Sequence, residues 1–227
     1  MTDAYFIAGT DTDVGKTLVT AALLCALRAA GRTSAAVKPV AAGARLTAQG
    51  WRNEDGEILQ RCQSAGLSYD QVNPVVLRDP VSPHIAARND GRRITVAQLE
   101  QHCRAVMRQP LDVVLIEGAG GWRVPVNERE YLSALPRRLD IPVILVVGLK
   151  LGCLNHALLT AEAIARDGLT LVGWVANQVD PHMAAVQSNL DTLRARLPGT
   201  CLGAIPWLPA AAPDAAVRYL QPLPKNN

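Results

Sequence analysis

The sequence lacks the features that mark secreted, membrane-spanning or zinc-binding proteins. Its 227 residues include only five cysteines, which are scattered and form no C-x-x-C pair. An odd number of separated thiols argues against a disulfide framework and against a zinc site. No apolar run approaches the length of a membrane span, and the first residues show no basic segment followed by an apolar one. We therefore expect a cytoplasmic protein with reduced thiols and no membrane partner.

A strong net charge is also missing. The formal charge is +3 and no block of Lys or Arg stands out, so a nucleic-acid-binding surface is not indicated. Apolar residues make up 49% of the chain, which is enough to build a substantial core at this length. Since no repeat, low-complexity segment or linker interrupts the sequence, we predict a single domain over residues 1–227.

Short apolar runs alternate with longer helical segments. The runs at 112–117, 142–147 and 171–176 are almost continuously apolar, which is typical of strands covered on both faces in a parallel sheet. Further strands are predicted at 4–8, 33–40 and 201–205, and helices at 16–30, 55–65, 95–108, 131–139, 155–167 and 183–197. This order predicts an α/β fold with a doubly wound, mainly parallel sheet flanked by helices. Residues 41–94 are expected to be largely irregular.

The segment GTDTDVGKT, which begins at Gly9, lies between the first predicted strand and the first helix. A phosphate-binding loop usually reads G-x-x-x-x-G-K-S/T, but here five residues separate Gly9 from Gly15, and Thr10 holds the first loop position. The backbone N–H of Thr10 can still donate a hydrogen bond to a phosphate oxygen. The N-terminus of the helix that follows offers further unpaired N–H groups to phosphate. We predict a variant nucleotide-binding loop in which Lys16 reaches the β- and γ-phosphates and Thr17 ligates Mg²⁺.

A magnesium site usually needs one or two carboxylates in addition to phosphate oxygens and water. Glu117 ends the apolar run at 112–117 and is followed by Gly-Ala-Gly-Gly, where small residues leave room for a ligand close to the backbone. We therefore predict Glu117 as a second metal ligand. The residues alone leave open whether Asp55 is a further ligand or a surface acid.

Eight segments in order resemble the dethiobiotin synthetases of biotin biosynthesis. They are GTDTDVGKT, KPVAAG, RNEDGEILQR, NPVVLRDPVSPHIAA, EGAGGWRVP, PVILVVGLKLGCLNHALLT, GWVANQ and GAIPWLP, and together they extend over nearly the whole chain. The resemblance implies a P-loop NTPase-like fold and a cyclo-ligase that converts 7,8-diaminopelargonic acid, CO₂ and ATP, with Mg²⁺, into dethiobiotin, ADP and phosphate. One amine captures CO₂ as a carbamate, the carbamate attacks the γ-phosphate, and the second amine closes the ring.

The resemblance also implies roles for individual residues. Lys16 and Lys38 are implied as catalytic, although Lys38 taken alone looks like a surface lysine at a strand end. The implied metal ligands are Thr17, Asp55 and Glu117. The implied ATP contacts are Asp13, Val14, Gly15, Lys16, Thr17, Leu18, Asp55, Glu117, Gly118, Ala119, Gly120, Asn177, Gln178, Pro206, Trp207 and Leu208. The implied substrate contacts are Thr12, Lys38, Ala42, Gly118, Gly152, Cys153, Leu154 and Asn155, of which the last four come from the partner subunit of a homodimer whose active site lies at the interface.

Two positions depart from the family pattern. The family usually has serine within K-P-V-x-S-G, where this chain has Ala42, so one hydroxyl that contacts substrate is missing. We expect this loss to weaken substrate binding by about 1 kcal/mol at most, the value of one neutral hydrogen bond. Gln178 replaces an aspartate of the family, so contacts with the edge of adenine are expected to differ.

Two other functions would also use a nucleotide-binding loop of this kind. A related amide-forming ligase usually carries a fused glutaminase domain, for which 227 residues leave no room. A dimeric ATPase switch commonly has a second lysine early in the loop, where this chain has Thr10 and Asp11. Both alternatives share the nucleotide loop and differ in what ATP hydrolysis drives.

Overall fold

A central sheet organises the chain, which we describe from a computed structural model over residues 2–224. The strands are β1 (Asp3–Gly9), β2 (Ser34–Val37), β3 (Val40–Ala41), β4 (Arg45–Thr47), β5 (Gly50–Arg52), β6 (Val75–Val76), β7 (Val113–Glu117), β8 (Val143–Leu149), β9 (Leu171–Gln178) and β10 (Thr200–Ile205). The helices are α1 (Lys16–Ala29), α2 (Glu54–Cys62), α3 (Tyr69–Val72), α4 (Pro83–Asn89), α5 (Val96–Met107), α6 (Ala134–Leu139), α7 (Cys153–Arg166), α8 (Val186–Arg196) and α9 (Pro213–Val217).

Six strands form one parallel sheet in the order β10-β9-β8-β1-β7-β2. Strands β7 and β8 are buried along their whole length, because helices cover both faces of the sheet. The predicted fold class is therefore confirmed. In the register of the central strands, Ile7 pairs with Glu117 and Gly9 pairs with Val146. The carboxyl ends of β1, β7 and β8 thus meet at one edge, where doubly wound sheets bind ligands.

The predicted strand at 33–40 divides into β2 and β3, and the break falls at Lys38. Pro39 has no N–H to donate to a neighbouring strand. The backbone of Lys38 instead donates from its N–H to the carbonyl of Val72 at 2.7 Å and accepts from the Asn73 amide at 2.7 Å. This break leaves Lys38 between the main sheet and the small parallel pair β3–β6.

The expectation of a largely irregular segment at 41–94 was wrong. This region holds the β3–β6 pair, the hairpin β4–β5 and the helices α2, α3 and α4. Except for α2, these elements have two to seven residues, which is too short for an apolar period to appear. The short helix α9, which the sequence did not predict, packs against α1.

Helix starts follow local chemistry. Gly15 precedes α1 in the left-handed region with φ of 88°, a conformation that costs glycine little. The Asn53 side chain accepts from the Asp55 N–H at 3.1 Å, and this cap fixes Asp55 in the first turn of α2. Thr95 forms a capping box with Gln98 at the start of α5. Within residues 2–224, no helix has the length and apolar character needed to cross a membrane.

Candidate active site

A cavity of about 770 Å³ opens at the carboxyl edge of the sheet. It contains the phosphate-loop segment, the break after β2, the first turn of α2 and the loop after β7. The residues predicted from sequence that line it are Thr12, Asp13, Gly15, Lys16, Thr17, Leu18, Lys38, Ala42, Asp55, Ala119 and Gly120. The sequence reasoning missed Ala41, Ile58, Pro80, Val81, Ser82, Pro83, Gly121, Val124, Ala211 and Pro213, which also line it.

Neighbouring atoms leave little room for a side chain at either glycine of the loop. Lys16 passes over Gly9, so that a Cβ atom at Gly9 would lie 2.9 Å from the Lys16 Nζ atom. A Cβ atom at Gly15 would overlap the Asn177 amide, and the φ of 88° at Gly15 is a conformation that other residues rarely adopt. Both glycines are therefore required for close approach, although their spacing differs from the usual loop.

Lys16 occupies the floor of the cavity. Its side chain is mostly buried, and its Nζ atom donates to the Asp11 carbonyl at 3.1 Å. Burial, together with the nearby positive charge of Lys38, lowers the pKa of Lys16 to about 8. An anion placed here would restore the preference for the charged amine, so the floor of the cavity is suited to phosphate.

Lys38 lies between two carboxylates beside this floor. Its Nζ atom is 2.7 Å from Glu117 Oε1 and 3.0 Å from Asp55 Oδ2. Burial alone would lower the pKa of Lys38, but the charges of Glu117 and Asp55 outweigh it and raise the pKa. The pKa of Asp55 is lowered, because the charge of Lys38 outweighs the opposing effect of burial. Lys38 is thus a buried, charged residue and not the surface lysine that its sequence position alone suggested.

The three residues predicted to hold a metal lie around this ion pair. The Thr17 hydroxyl donates to Glu117 Oε1 at 2.8 Å. The Lys38 amine pairs with both Glu117 and Asp55 and so links the two carboxylates. Glu117 Oε2 is buried and has no hydrogen-bond partner within residues 2–224. A buried acceptor without a partner costs about 1–3 kcal/mol, which a cation bound there would remove.

The donor atoms of this cluster also fit one class of cation. All three side chains offer oxygen, the ligand atom that Mg²⁺ prefers. Over the described range, no three His, Cys, Asp or Glu side chains gather to form a metal site by themselves. An ion here would complete its coordination with phosphate oxygens and water, as Mg²⁺ does in nucleotide sites.

Five of the implied ATP contacts, Asn177, Gln178, Pro206, Trp207 and Leu208, do not line the cavity. The Asn177 amide donates to the Val14 carbonyl at 3.0 Å and so holds the phosphate loop in place. Gln178 donates to the Asp180 carbonyl at 3.1 Å. Trp207 is 43% exposed, which excludes simple core packing as its role. Pro206, Leu208 and Val14 also lie outside the cavity wall, as do Glu117 and Gly118, which stand behind Lys38.

The predicted substrate contacts at the start of α7, from Gly152 to Asn155, lie outside the cavity of their own chain. Cys153 is buried, whereas Leu151 is 95% exposed and Leu159, on the same helix, is 56% exposed. Just before this turn, Lys150 forms an ion pair with Asp11 of the loop at 3.0 Å. This arrangement leaves an exposed apolar surface beside the start of α7.

A carboxylate that the sequence did not indicate anchors one wall of the cavity. Asp167, at the end of α7, accepts from Trp122 Nε1 at 2.9 Å and from two Arg123 nitrogens at 2.6 and 2.8 Å. The Trp122 ring packs edge-on against Phe6, with ring centroids 6.1 Å apart. Trp122 and Arg123 belong to the same loop as Gly120, which lines the cavity. By binding Trp122 and Arg123, Asp167 holds this loop in place.

We expect Asp167→Asn to lower the free energy of unfolding by about 1–3 kcal/mol near neutral pH, the value of hydrogen bonds to a charged group. Burial raises the pKa of Asp167, but Arg123 and Trp122 outweigh it and hold the pKa below its ordinary value. Because the pKa of Asp167 is lower in the folded protein than in the unfolded chain, its carboxylate stabilises the folded protein at pH values above the unfolded pKa of about 3.9. This stabilisation is lost as the pH falls through the folded-state pKa.

Urea unfolding at neutral pH and near pH 3 measures this effect, because the difference between the two proteins should shrink on acidification. The control is Asp191→Asn, which removes an exposed ion pair with Arg194 and should change stability by about 0.5 kcal/mol or less. An equal loss for Asp167→Asn at both pH values would show that the carboxylate charge is not the cause.

Comparison with known proteins finds relatives along almost the whole chain. A family model described as an AAA domain matches residues 3–215. The chain is 52% identical over 217 residues to the ATP-dependent dethiobiotin synthetase of Pseudomonas aeruginosa (strain LESB58), which covers 96% of this chain and 95% of that protein. It is 51% identical over 227 residues to the protein of the same name from Vibrio campbellii (strain ATCC BAA-1116), covering 100% of each chain.

Two solved structures share the fold at low identity. The septum site-determining protein MinD from Pyrococcus horikoshii OT3, complexed with Mg-ADP, has a TM-score of 0.56 and 20% identity, covering 92% of this chain and 83% of that chain. Chloroplast FtsY from Physcomitrella patens has a TM-score of 0.56 and 20% identity, covering 99% of this chain and 62% of that chain. These likenesses show a shared fold and say nothing about the chemistry of this chain.

Proposed function

Because the chain belongs to the family of ATP-dependent dethiobiotin synthetases, we infer that its cavity joins CO₂ to 7,8-diaminopelargonic acid and closes the ring of dethiobiotin at the expense of ATP. The observation that carries this conclusion is identity of about half of all residues to these synthetases over essentially their full length. The cluster of Lys16, Thr17, Lys38, Asp55 and Glu117 supports it, since all five lie in or directly behind one cavity.

The reaction needs ATP because a carbamate oxygen is a poor leaving group. The substrate amine first attacks CO₂ and loses a proton, giving a carbamate. A carbamate oxygen then attacks the γ-phosphorus of ATP, and ADP leaves. The second amine attacks the carbamate carbon of the resulting mixed anhydride, so that phosphate departs and the cyclic urea forms.

We propose that two lysines divide the electrostatic work. Lys16, at the start of α1 and on the cavity floor, binds the phosphate oxygens on which negative charge accumulates during transfer. Lys38, which is held by Glu117 and Asp55 at the cavity wall, orients the carbamate oxygen toward the γ-phosphate. Both amines are fixed before the reaction, so little reorganisation is required in the transition state.

We propose further that Thr17, Asp55 and Glu117 hold Mg²⁺. The unpaired Oε2 atom of Glu117 and the all-oxygen donor set support this assignment. When bound, the ion supplies positive charge that offsets the β- and γ-phosphates. Thr17 and Glu117 are already within hydrogen-bond distance of each other, so the chain presents these ligands together without rearranging its backbone.

We also propose a homodimer in which the start of α7 from one subunit completes the cavity of the other. Support comes from the position of Gly152 and Asn155 outside their own cavity and from the exposed Leu151 and Leu159 beside them. Sedimentation equilibrium should then give about twice the chain mass of 24.3 kDa. A monomer at concentrations that support full turnover would contradict this assembly. The single domain and the cytoplasmic location stay predictions from the sequence.

Phosphate release from MgATP, measured with and without 7,8-diaminopelargonic acid and bicarbonate, tests the function directly. We expect release to depend on both additions and to match the dethiobiotin seen by mass spectrometry. Slow release that is indifferent to both would instead indicate an ATPase switch.

A further inference from the structure

Ala42 leaves one wall of the cavity without a hydroxyl, and the chain segment 79–83 runs beside that wall. Leu77 donates to the Ala41 carbonyl at 2.9 Å, and Gly43 donates to the Asp79 carbonyl at 3.0 Å. A Cβ atom at Gly43 would lie 3.2 Å from the Pro80 Cβ atom. These contacts fix the segment against residues 41–43 before it turns into α4.

Ser82 is the hydroxyl residue of this segment, and it lines the same cavity as Ala42 and Lys38. Its carbonyl accepts from Ile85 at 2.9 Å and from Ala86 at 3.0 Å, so its backbone is held in place. Its hydroxyl makes no capping hydrogen bond to α4. Ser68 and Thr95 hold the corresponding position in α3 and α5, and the hydroxyl oxygen of each accepts a hydrogen bond from a backbone N–H. The Ser82 hydroxyl is therefore available to a molecule in the cavity.

The surroundings of Ser82 match the substrate. Pro80, Val81 and Pro83 give this wall an apolar surface, which suits an alkyl chain. The neighbouring wall carries the positive charges of Lys16 and Lys38, which disfavour a protonated amine. An amine that is to attack must be neutral, and a hydroxyl can accept from its N–H without adding charge.

We infer that Ser82 binds an amino group of the diamine substrate and supplies the hydroxyl that Ala42 lacks. This inference rests on the proposed function, because it assumes that the cavity receives the diamine. It assigns Ser82 a role in substrate affinity and none in binding ATP, since the proposed phosphate site is formed by Lys16 and Thr17 at the start of α1 and not by the segment 79–83.

Steady-state kinetics of Ser82→Ala test the inference. We expect KM for the diamine to rise about fivefold, as loss of one neutral hydrogen bond predicts, with kcat and KM for ATP within about twofold of the unmodified protein. Ser68→Ala is the matched control, because it removes a helix-capping serine outside the cavity and should leave KM for the diamine unchanged. An unchanged KM in Ser82→Ala would overturn the inference.

A second substitution separates a lost contact from a damaged wall. Adding Ala42→Ser to Ser82→Ala returns a hydroxyl from the adjacent strand and should bring KM back to within about twofold of the original, again the scale of one hydrogen bond. A parallel rise in both Michaelis constants that Ala42→Ser does not reverse would show a structural role and overturn the inference.

The failure of the proposed function would appear separately, as absence of dethiobiotin formation by the unmodified protein. Calorimetric titration with 7,8-diaminopelargonic acid compares the two proteins without any turnover. Weaker binding to Ser82→Ala supports the inference, and equal binding overturns it.

Discussion

Lys16→Ala should reduce dethiobiotin formation by about 10³-fold or more, the scale seen when a main charge that stabilises phosphoryl transfer is removed. The Lys16 amine lies on the cavity floor next to Gly9, and burial beside Lys38 keeps its pKa at about 8. No neighbouring cation can replace it. Lys38 is committed to Glu117 and Asp55 at 2.7 and 3.0 Å, and its departure would leave the fully buried carboxylate of Glu117 without its charge partner.

Initial rates with saturating MgATP measure the effect, and calorimetric binding of ATP shows how much of it arises before the chemical step. Arg28→Ala is the control, since it removes a cation from the last turn of the same helix and should leave the rate within about twofold, as expected for a surface change. Near-native turnover by Lys16→Ala would contradict the phosphate-binding role assigned to the loop.

The parts of the fold that the sequence predicted are those with a local signal. Strands β7, β8 and β9 are almost continuously apolar because they are covered on both faces. Such a run can be recognised within one short segment of the sequence. The loop from Gly9 to Thr17 can also be recognised locally, because phosphate binding requires particular residues at closely spaced positions. The close approach of Lys16 and Val14 to Gly9 could not be predicted from the motif.

The parts that the sequence did not predict depend on contacts between distant segments. Lys38 is buried because the strand is interrupted at Pro39 and because the carboxylates of Asp55 and Glu117 pair with its amine. Glu117 lies 79 residues away in the sequence. Asp167 looks like an ordinary helix-end acid until Trp122 and Arg123 are placed against it. For Asp55, the residues alone could not decide between a ligand and a surface acid, because its position depends on how α2 docks.

Glu117→Gln should lower kcat/KM by about 10²-fold or more and raise the Mg²⁺ concentration needed for half-maximal activity, as removal of one anionic metal ligand implies. Glu117 Oε1 already accepts from Thr17 and Lys38, while Oε2 has no partner within the described residues. Glutamine keeps one oxygen that can accept from Lys38, but it replaces the second carboxylate oxygen by an uncharged NH₂ group that cannot bind a metal ion. Asp55 still compensates the charge of Lys38, so we expect the variant to fold.

Magnesium titrations of the rate separate two roles for Glu117 that the loss of activity alone would not. If Glu117 only holds Lys38, the maximal rate falls while the Mg²⁺ concentration at half-maximal rate stays unchanged. If it is a metal ligand, that concentration rises as well, and excess Mg²⁺ recovers part of the rate. Glu100→Gln, which removes a surface ion pair with Arg104, should change neither quantity. Because Thr17 and Lys38 occupy Oε1 of Glu117 while Oε2 has no partner within the described residues, a shift in magnesium dependence would assign the ion to Oε2 and leave Lys38 on Oε1.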